Sequence, residues 1–108
     1  MKLVRGIVRE DKVNEIVMAL SHAGAPGITV TDVKGRGASS RMGMWRGLPY
    51  PVLQPMCAIE VIVQDCTAED VARVMVECAH TGQKGDGHVF VMALDESYAV
   101  RTRWRNVA

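Results

Sequence analysis

The run Thr81-Gly82-Gln83-Lys84-Gly85-Asp86-Gly87-His88, with Arg101 and Arg103 shortly after it, holds the residue types best suited to chemistry in this chain. Glycines bracketing an aspartate make a turn whose bare amides can approach an anion, because no Cβ stands in the way. Arginines one residue apart on an extended segment point to the same side, and their planar forks match phosphate oxygens. Lys84 and His88 add positive character. The combination reads as a polyphosphate site. The plainer alternatives are a connector turn and a charged strand edge.

No catalytic set accompanies it. The histidines, cysteines and serines form no nucleophile–base spacing. HExxH, GxSxG and Walker A patterns are absent from the sequence. Gly35-Arg36-Gly37 is too short for a dinucleotide fingerprint. Methionines 42, 44 and 56 fit gap filling better than soft-metal binding, so no metal is expected. Cys57, Cys66 and Cys78 lack CxxC spacing, which argues against a disulfide framework. Cys57 and Cys78 read as buried small hydrophobes, and Cys66 as exposed.

The elements that must position these residues follow from periodicity. The chain has 108 residues and a net charge of +1. That suits one domain, residues 1–108, and disfavours a general nucleic-acid binder, which would carry a basic stripe. No apolar run is long enough to span a membrane, and the N-terminal residues lack a signal-peptide core, so a cytoplasmic protein is expected. Residues 2–8 alternate as a strand. Val13, Ile16, Val17 and Leu20 then mark a helix over 11–23, with Glu10 and Asp11 at its start. Residues 28–34 form a second strand, and 56–63 a third that Glu60 interrupts with a charge needing a partner. Thr67 is the expected N-cap of a second helix carrying Val71, Val74, Met75 and Cys78. A strand over 88–93 and an extended piece over 98–103 close the chain.

Between the second and third strands lies an irregular Gly/Ser/Pro-rich segment bearing Trp45, Arg46 and Tyr50. A loop of this length without regular structure is usually functional, and its aromatics suit docking. The order β-α-β, long loop, β-α-β is the split βαβ pattern. It predicts an α+β, ferredoxin-like βαββαβ sandwich with both helices on one face of an antiparallel sheet. The opposite sheet face would be bare in a monomer, so a homo-oligomer is expected.

These residues resemble the PII signalling proteins, the GlnB/GlnK-type family, along nearly the whole chain. Thr81 to Phe90 is close to that family's B-loop signature, TGKxGDGKIF. Val33-Lys34-Gly35-Arg36-Gly37 resembles the base of its T-loop, Trp45-Arg46-Gly47 with Tyr50 its aromatic-Arg-Gly-x-x-Tyr segment, and Val100-Arg101-Thr102-Arg103 its C-loop arginine pair. Ile59-Glu60-Val61-Ile62-Val63 resembles its third strand.

The resemblance implies a homotrimer with ATP, ADP or AMP as regulatory ligand in clefts between subunits. It implies a T-loop over about 36–55, a B-loop over about 81–88 and an arginine segment over about 98–105. By analogy Gly85, Asp86, Gly87 and His88 cradle phosphates, with Arg101 and Arg103 adding charge. Thr29, Glu60, Ile62 and Thr81 surround the adenosine, and Gly35 and Gly37 form the loop base. The T-loop would engage a target protein (a transporter, an enzyme or a transcription regulator) in nitrogen or carbon regulation. Trp45, Arg46 and Tyr50 would carry that contact, Tyr50 matching a tyrosine that some members have uridylylated.

The chain also departs from the family pattern. His88 replaces a lysine, Met56 replaces the lysine after the loop-ending proline, and Ala38-Ser39-Ser40 stands where a glutamine serves Mg²⁺ and 2-oxoglutarate. These departures argue against 2-oxoglutarate sensing. They leave open a sensor of AMP, ADP or a small anion such as bicarbonate that regulates a transporter.

Overall fold

The fold is taken from a computed structural model describing residues 1–37 and 41–107, with backbone alone at 106 and 107. Strand β1 (Lys2–Val8) leads through a 3-10 turn (Glu10–Lys12) into helix α1 (Val13–His22). Strand β2 (Ile28–Gly35) is followed by β3 (Met42–Trp45), β4 (Leu48–Pro51) and β5 (Gln54–Val63). Helix α2 (Asp65–Ala79), strand β6 (Gly87–Ala93) and the short strands β7 (Glu96–Tyr98) and β8 (Arg105–Val107) complete the chain. The main sheet has four strands in the order β2-β5-β1-β6, every pair antiparallel. This is the expected ferredoxin-like arrangement.

Alternation within each strand divides the sheet into two faces. Val4, Gly6 and Val8 of β1 register with Val61, Ile59 and Cys57 of β5. Together with Ile16 and Leu20 of α1 and Ala68, Val71, Met75 and Ala79 of α2, most of these form the buried core. The buried positions of both helices recur at helical spacing, which is why each helix shows one stripe to the sheet. Gly6 permits close helix contact, since a Cβ there would lie 3.0 Å from Met75 Sδ.

Four local expectations are corrected. Thr67 is not the N-cap of α2: Gln64 holds that place, and Thr67 sits inside the first turn with its hydroxyl donating to the Gln64 carbonyl at 3.0 Å. The start of the first helix is a separate 3-10 turn. The segment after β2 is not wholly irregular, because β3 and β4 pair as a hairpin. Its two-residue turn places Arg46 at φ 50° and Gly47 at φ 78°. Two positive values in succession are what a tight hairpin turn demands, and a glycine meets one of them without strain. Finally, 98–103 is not extended. β7 pairs with β8, and Arg101 and Arg103 lie in the turn between them, Arg103 at φ 63°. The two arginines therefore do not share a strand face.

Leu20 is fully buried and Met18 on the same helix is 60% exposed. Leu20→Ala should lower unfolding free energy by about 2–5 kcal/mol. Met18→Ala should change it by less than about 0.5 kcal/mol. Urea unfolding followed by circular dichroism measures both.

Candidate functional site

The site is built on the sheet face that carries no helix. Since Val4 and Val8 point to the core, Arg5 and Ile7 point away from it, as do Thr29, Glu60, Ile62, His88 and Phe90 by the same alternation. Register sets them in rows. Thr29 pairs with Glu60, Glu60 with Arg5, and Arg5 with Phe90, so one row crosses all four strands. The half-buried Glu60 finds its partner there, with Arg5 Nη2 3.3 Å from Glu60 Oε1. In the next row Ile7 stands beside His88, whose ring stacks on Phe90 at 6.0 Å between centroids and 18° between planes.

A cavity of about 470 Å³ opens over one end of this face. That volume falls in the range of small-molecule sites. Its walls come from two segments far apart in sequence. Gly35, Arg36 and Gly37 close it on the side of the β2 exit, and Lys84, Gly85, Asp86, Gly87 and His88 on the other. Met56 and Gln54 of β5 line the wall between. The structure therefore sets the glycine turn and the segment Gly35–Gly37 on the walls of one cavity.

The turn is organised by one carboxylate. Asp86 Oδ2 accepts from the Thr81 and Gly82 amides at 2.8 and 2.9 Å. Its Oδ1 accepts from the Thr81 hydroxyl and from Arg9 Nε at 3.1 Å. Thr81 Oγ1 in turn accepts from the Gln83 amide at 3.2 Å. Asp86 thus faces inward and shapes the loop; a bare carboxylate turned to the cavity would repel an anion. The Thr81 hydroxyl, with the Thr81 and Gly82 amides and Arg9, holds its carboxyl well below the usual carboxylate range.

Gly87 is required by contact as well as conformation. Its φ is 103°, and a Cβ there would lie 1.8 Å from the Ile7 carbonyl oxygen. The turn can rejoin the sheet beside β1 only because that atom is missing. Among the described residues, the amides of Lys84 and Gly85 have no hydrogen-bond partner. Unpaired amides beside lysine and arginine side chains are what an anion-binding concavity offers.

Other expected site residues lie elsewhere. Thr29, Glu60 and Ile62 border a second depression of about 360 Å³, with Ser97 of β7 at its rim. Thr81 lines neither cavity, and neither do Arg101 and Arg103. Ala38-Ser39-Ser40 lies outside the described residues. Trp45, Arg46 and Tyr50 sit together on the β3–β4 hairpin, all exposed, with the Arg46 guanidinium 4.6 Å from the Trp45 ring centroid. Sequence reasoning missed Arg9, Arg36 and Phe90. Arg36 and Phe90 lie within stretches that resemble the family, yet the resemblance assigns neither a role; strand alternation outward from His88 points to Phe90, whereas Arg9 lies in no site motif.

Glu10, Asp32 and Cys57 also converge, with ligand-capable atoms within 4.8 Å of one another. Burial and the neighbouring carboxylates push the Cys57 thiol up, and its sulfur lies 3.5 Å from Asp32 Oδ1. A thiol kept protonated is a poor metal ligand.

The depressed carboxyl of Asp86 fixes the sign of an acid effect. Its stabilisation is complete well above the ordinary value of 3.8 and is lost as pH falls below it. Wild-type melting temperature should therefore drop on acidification through that region. Asp86→Asn should start lower at pH 7 and show a shallower acid slope. Asp65, lowered by its hydrogen bond from the N-terminal ammonium, contributes part of the slope that remains. Thermal melts at a series of pH values test this, and parallel wild-type and variant curves would refute it.

Comparison with known proteins bears on the whole chain. Residues 1–104 match the family described as nitrogen regulatory protein P-II. A nitrogen regulatory protein GlnK2 of Haloferax mediterranei is 43% identical over 104 residues, covering 94% of this chain and 85% of the relative. A nifHD-region GlnB-like protein of Methanococcus maripaludis is 39% identical, covering 95% and 96%. The nitrogen regulatory protein P-II of Azospirillum brasilense is 36% identical, covering 94% and 93%. With the glycine turn and the loop base set in one cavity on a ferredoxin-like sheet, these matches lead to one conclusion: the chain belongs to the P-II family of nitrogen regulatory proteins.

Proposed function

We propose that this protein is a non-enzymatic regulator that binds an adenine nucleotide in the cavity between Gly35–Gly37 and Lys84–His88, and that nucleotide occupancy sets the shape of the long segment between β2 and β5. The observation that carries the reading is the shared cavity wall. A ligand seated on the glycine turn also touches the residues from which the long segment departs. Phosphates would meet the Lys84 and Gly85 amides and the side chains of Lys84, Arg36 and His88. The hairpin bearing Trp45, Arg46 and Tyr50 would then present its exposed apolar surface to a target protein. Such a switch works only if the ligand binds two loop states unequally.

The arginines enter this reading through assembly. Arg101 and Arg103 do not line the cavity of their own chain. In a homotrimer they would reach the site of a neighbour, and the exposed Ile62, Phe90 and Met92 on the helix-free face would be covered. Calorimetry with ATP, ADP and AMP should give micromolar-range binding, lost in the Arg101→Ala/Arg103→Ala double variant. No heat with any of the three nucleotides would remove the proposal, as would a strictly monomeric protein by light scattering.

The identity of Met56 favours a second reading within the same fold. It lines the cavity wall with an uncharged thioether, which cannot pair with a dicarboxylate. On this reading the protein responds to ADP, AMP or a small anion such as bicarbonate, without 2-oxoglutarate. Adding 2-oxoglutarate and Mg²⁺ to an ATP titration should leave the ATP affinity unchanged. Clear synergy would restore 2-oxoglutarate sensing.

A further inference from the structure

Arg9 belongs to none of the motifs that mark the site, yet it grips the glycine turn from another element. Its Nε donates to Asp86 Oδ1 at 3.1 Å, and its Nη2 donates to the Lys84 carbonyl at 2.7 Å. The two residues it holds flank Gly85, which has φ 93°. The neighbouring Val8 is in register with Gly87, so the backbone that launches the guanidinium is itself tied to the far end of the turn. Its side chain is only 31% exposed, so the contact is partly shielded from water.

Three glycines in the turn, Gly82, Gly85 and Gly87, have positive φ. Such a segment has many accessible backbone states unless something fixes it. A guanidinium can bridge two acceptors on either side of a glycine through its fork, whereas an ammonium is a single point of attachment. Arg9 also neutralises Asp86. Without it, the turn would carry an unbalanced carboxylate beside Lys84, and the pull on an anion would weaken.

We propose that Arg9 is a positioning residue for anion binding: it holds Lys84 to Gly87 in the receptive shape without itself touching the ligand. This rests on the nucleotide reading above. A turn that is receptive only part of the time binds with its intrinsic affinity reduced by that fraction. Arg9 keeps the fraction high.

The test compares wild type, Arg9→Ala and Arg9→Lys in two measurements. Amide hydrogen exchange on the ligand-free protein reads the turn directly. Calorimetry with ADP and with adenosine, which lacks phosphate, reads the consequence. In Arg9→Ala, exchange at Thr81, Gly82 and Gln83, the turn amides held by Asp86 and the Thr81 hydroxyl, should quicken roughly tenfold while β5 amides keep their rates. ADP affinity should fall roughly tenfold, the effect expected for losing a charge-assisted hydrogen bond. Adenosine affinity should be unchanged, and Arg9→Lys should lie between wild type and Arg9→Ala. Unaltered exchange in the turn would overturn the role of Arg9, as would an equal loss of ADP and adenosine binding, which signals general loosening. Wild type that binds neither compound would instead overturn the nucleotide reading. ADP binding with turn exchange unchanged in Arg9→Ala would overturn this inference alone.

Discussion

The contact between Gly87 and the Ile7 carbonyl is the constraint on which the site depends. Strand β6 sits beside β1 only because position 87 carries no Cβ. That placement brings Asp86 within reach of Arg9 and lets its carboxylate collect the Thr81 and Gly82 amides. It also puts His88 and Phe90 on the helix-free face, one strand away from Glu60. A side chain at 87 would push β6 off β1, and the turn would lose both its anchor and its orientation toward the cavity.

The two faces of the sheet divide structure from function. One face spends its apolar residues on the helices, and Val4, Ile59, Val61 and Met75 are almost wholly removed from water there. The other carries a mixed row of Thr29, Glu60, Arg5 and Phe90, which could not sit under a helix without burying a charge pair. Burial of the first face supplies the hydrophobic drive to fold. The second is left free to carry polar chemistry, and its strand ends lead into the segments that build the cavity.

Much of this was legible in the sequence, for physical reasons that also explain what was not. The helices declared themselves because Ile16 and Leu20, or Val71 and Met75, recur at the spacing of one helix face. The main strands did so through alternating branched residues. The glycine turn was legible because only glycine tolerates its backbone. The hairpin of β3 and β4 was not: Gly43, Pro49 and Pro51 lie within its strands, and they are residues that strands usually exclude. A pattern reader sees loop where a tight turn at Arg46-Gly47 nevertheless brings the two segments into register. Arg101 and Arg103 misled for the opposite reason. Their alternate spacing suits a strand, but the Arg103 amide donates to the Ala99 carbonyl at 2.8 Å and closes a turn. The role of Arg9 rests on contacts 75 and 77 residues away along the chain, which no local pattern encodes.

The position of those arginines bears on how the proposed regulator would work. If the cavity drew them from a neighbouring chain, ligand binding and assembly would be linked, and linkage is reciprocal. Whatever factor assembly adds to nucleotide affinity, the nucleotide adds to the strength of assembly. Cations supplied from a second chain also arrive pre-oriented by that chain's own fold, here by the β7–β8 hairpin that brackets them. The long segment between β2 and β5 then need not supply the binding energy. It has only to differ in its contacts at the Gly35–Gly37 wall when that wall faces a ligand, which is the least that a segment must do to report occupancy elsewhere.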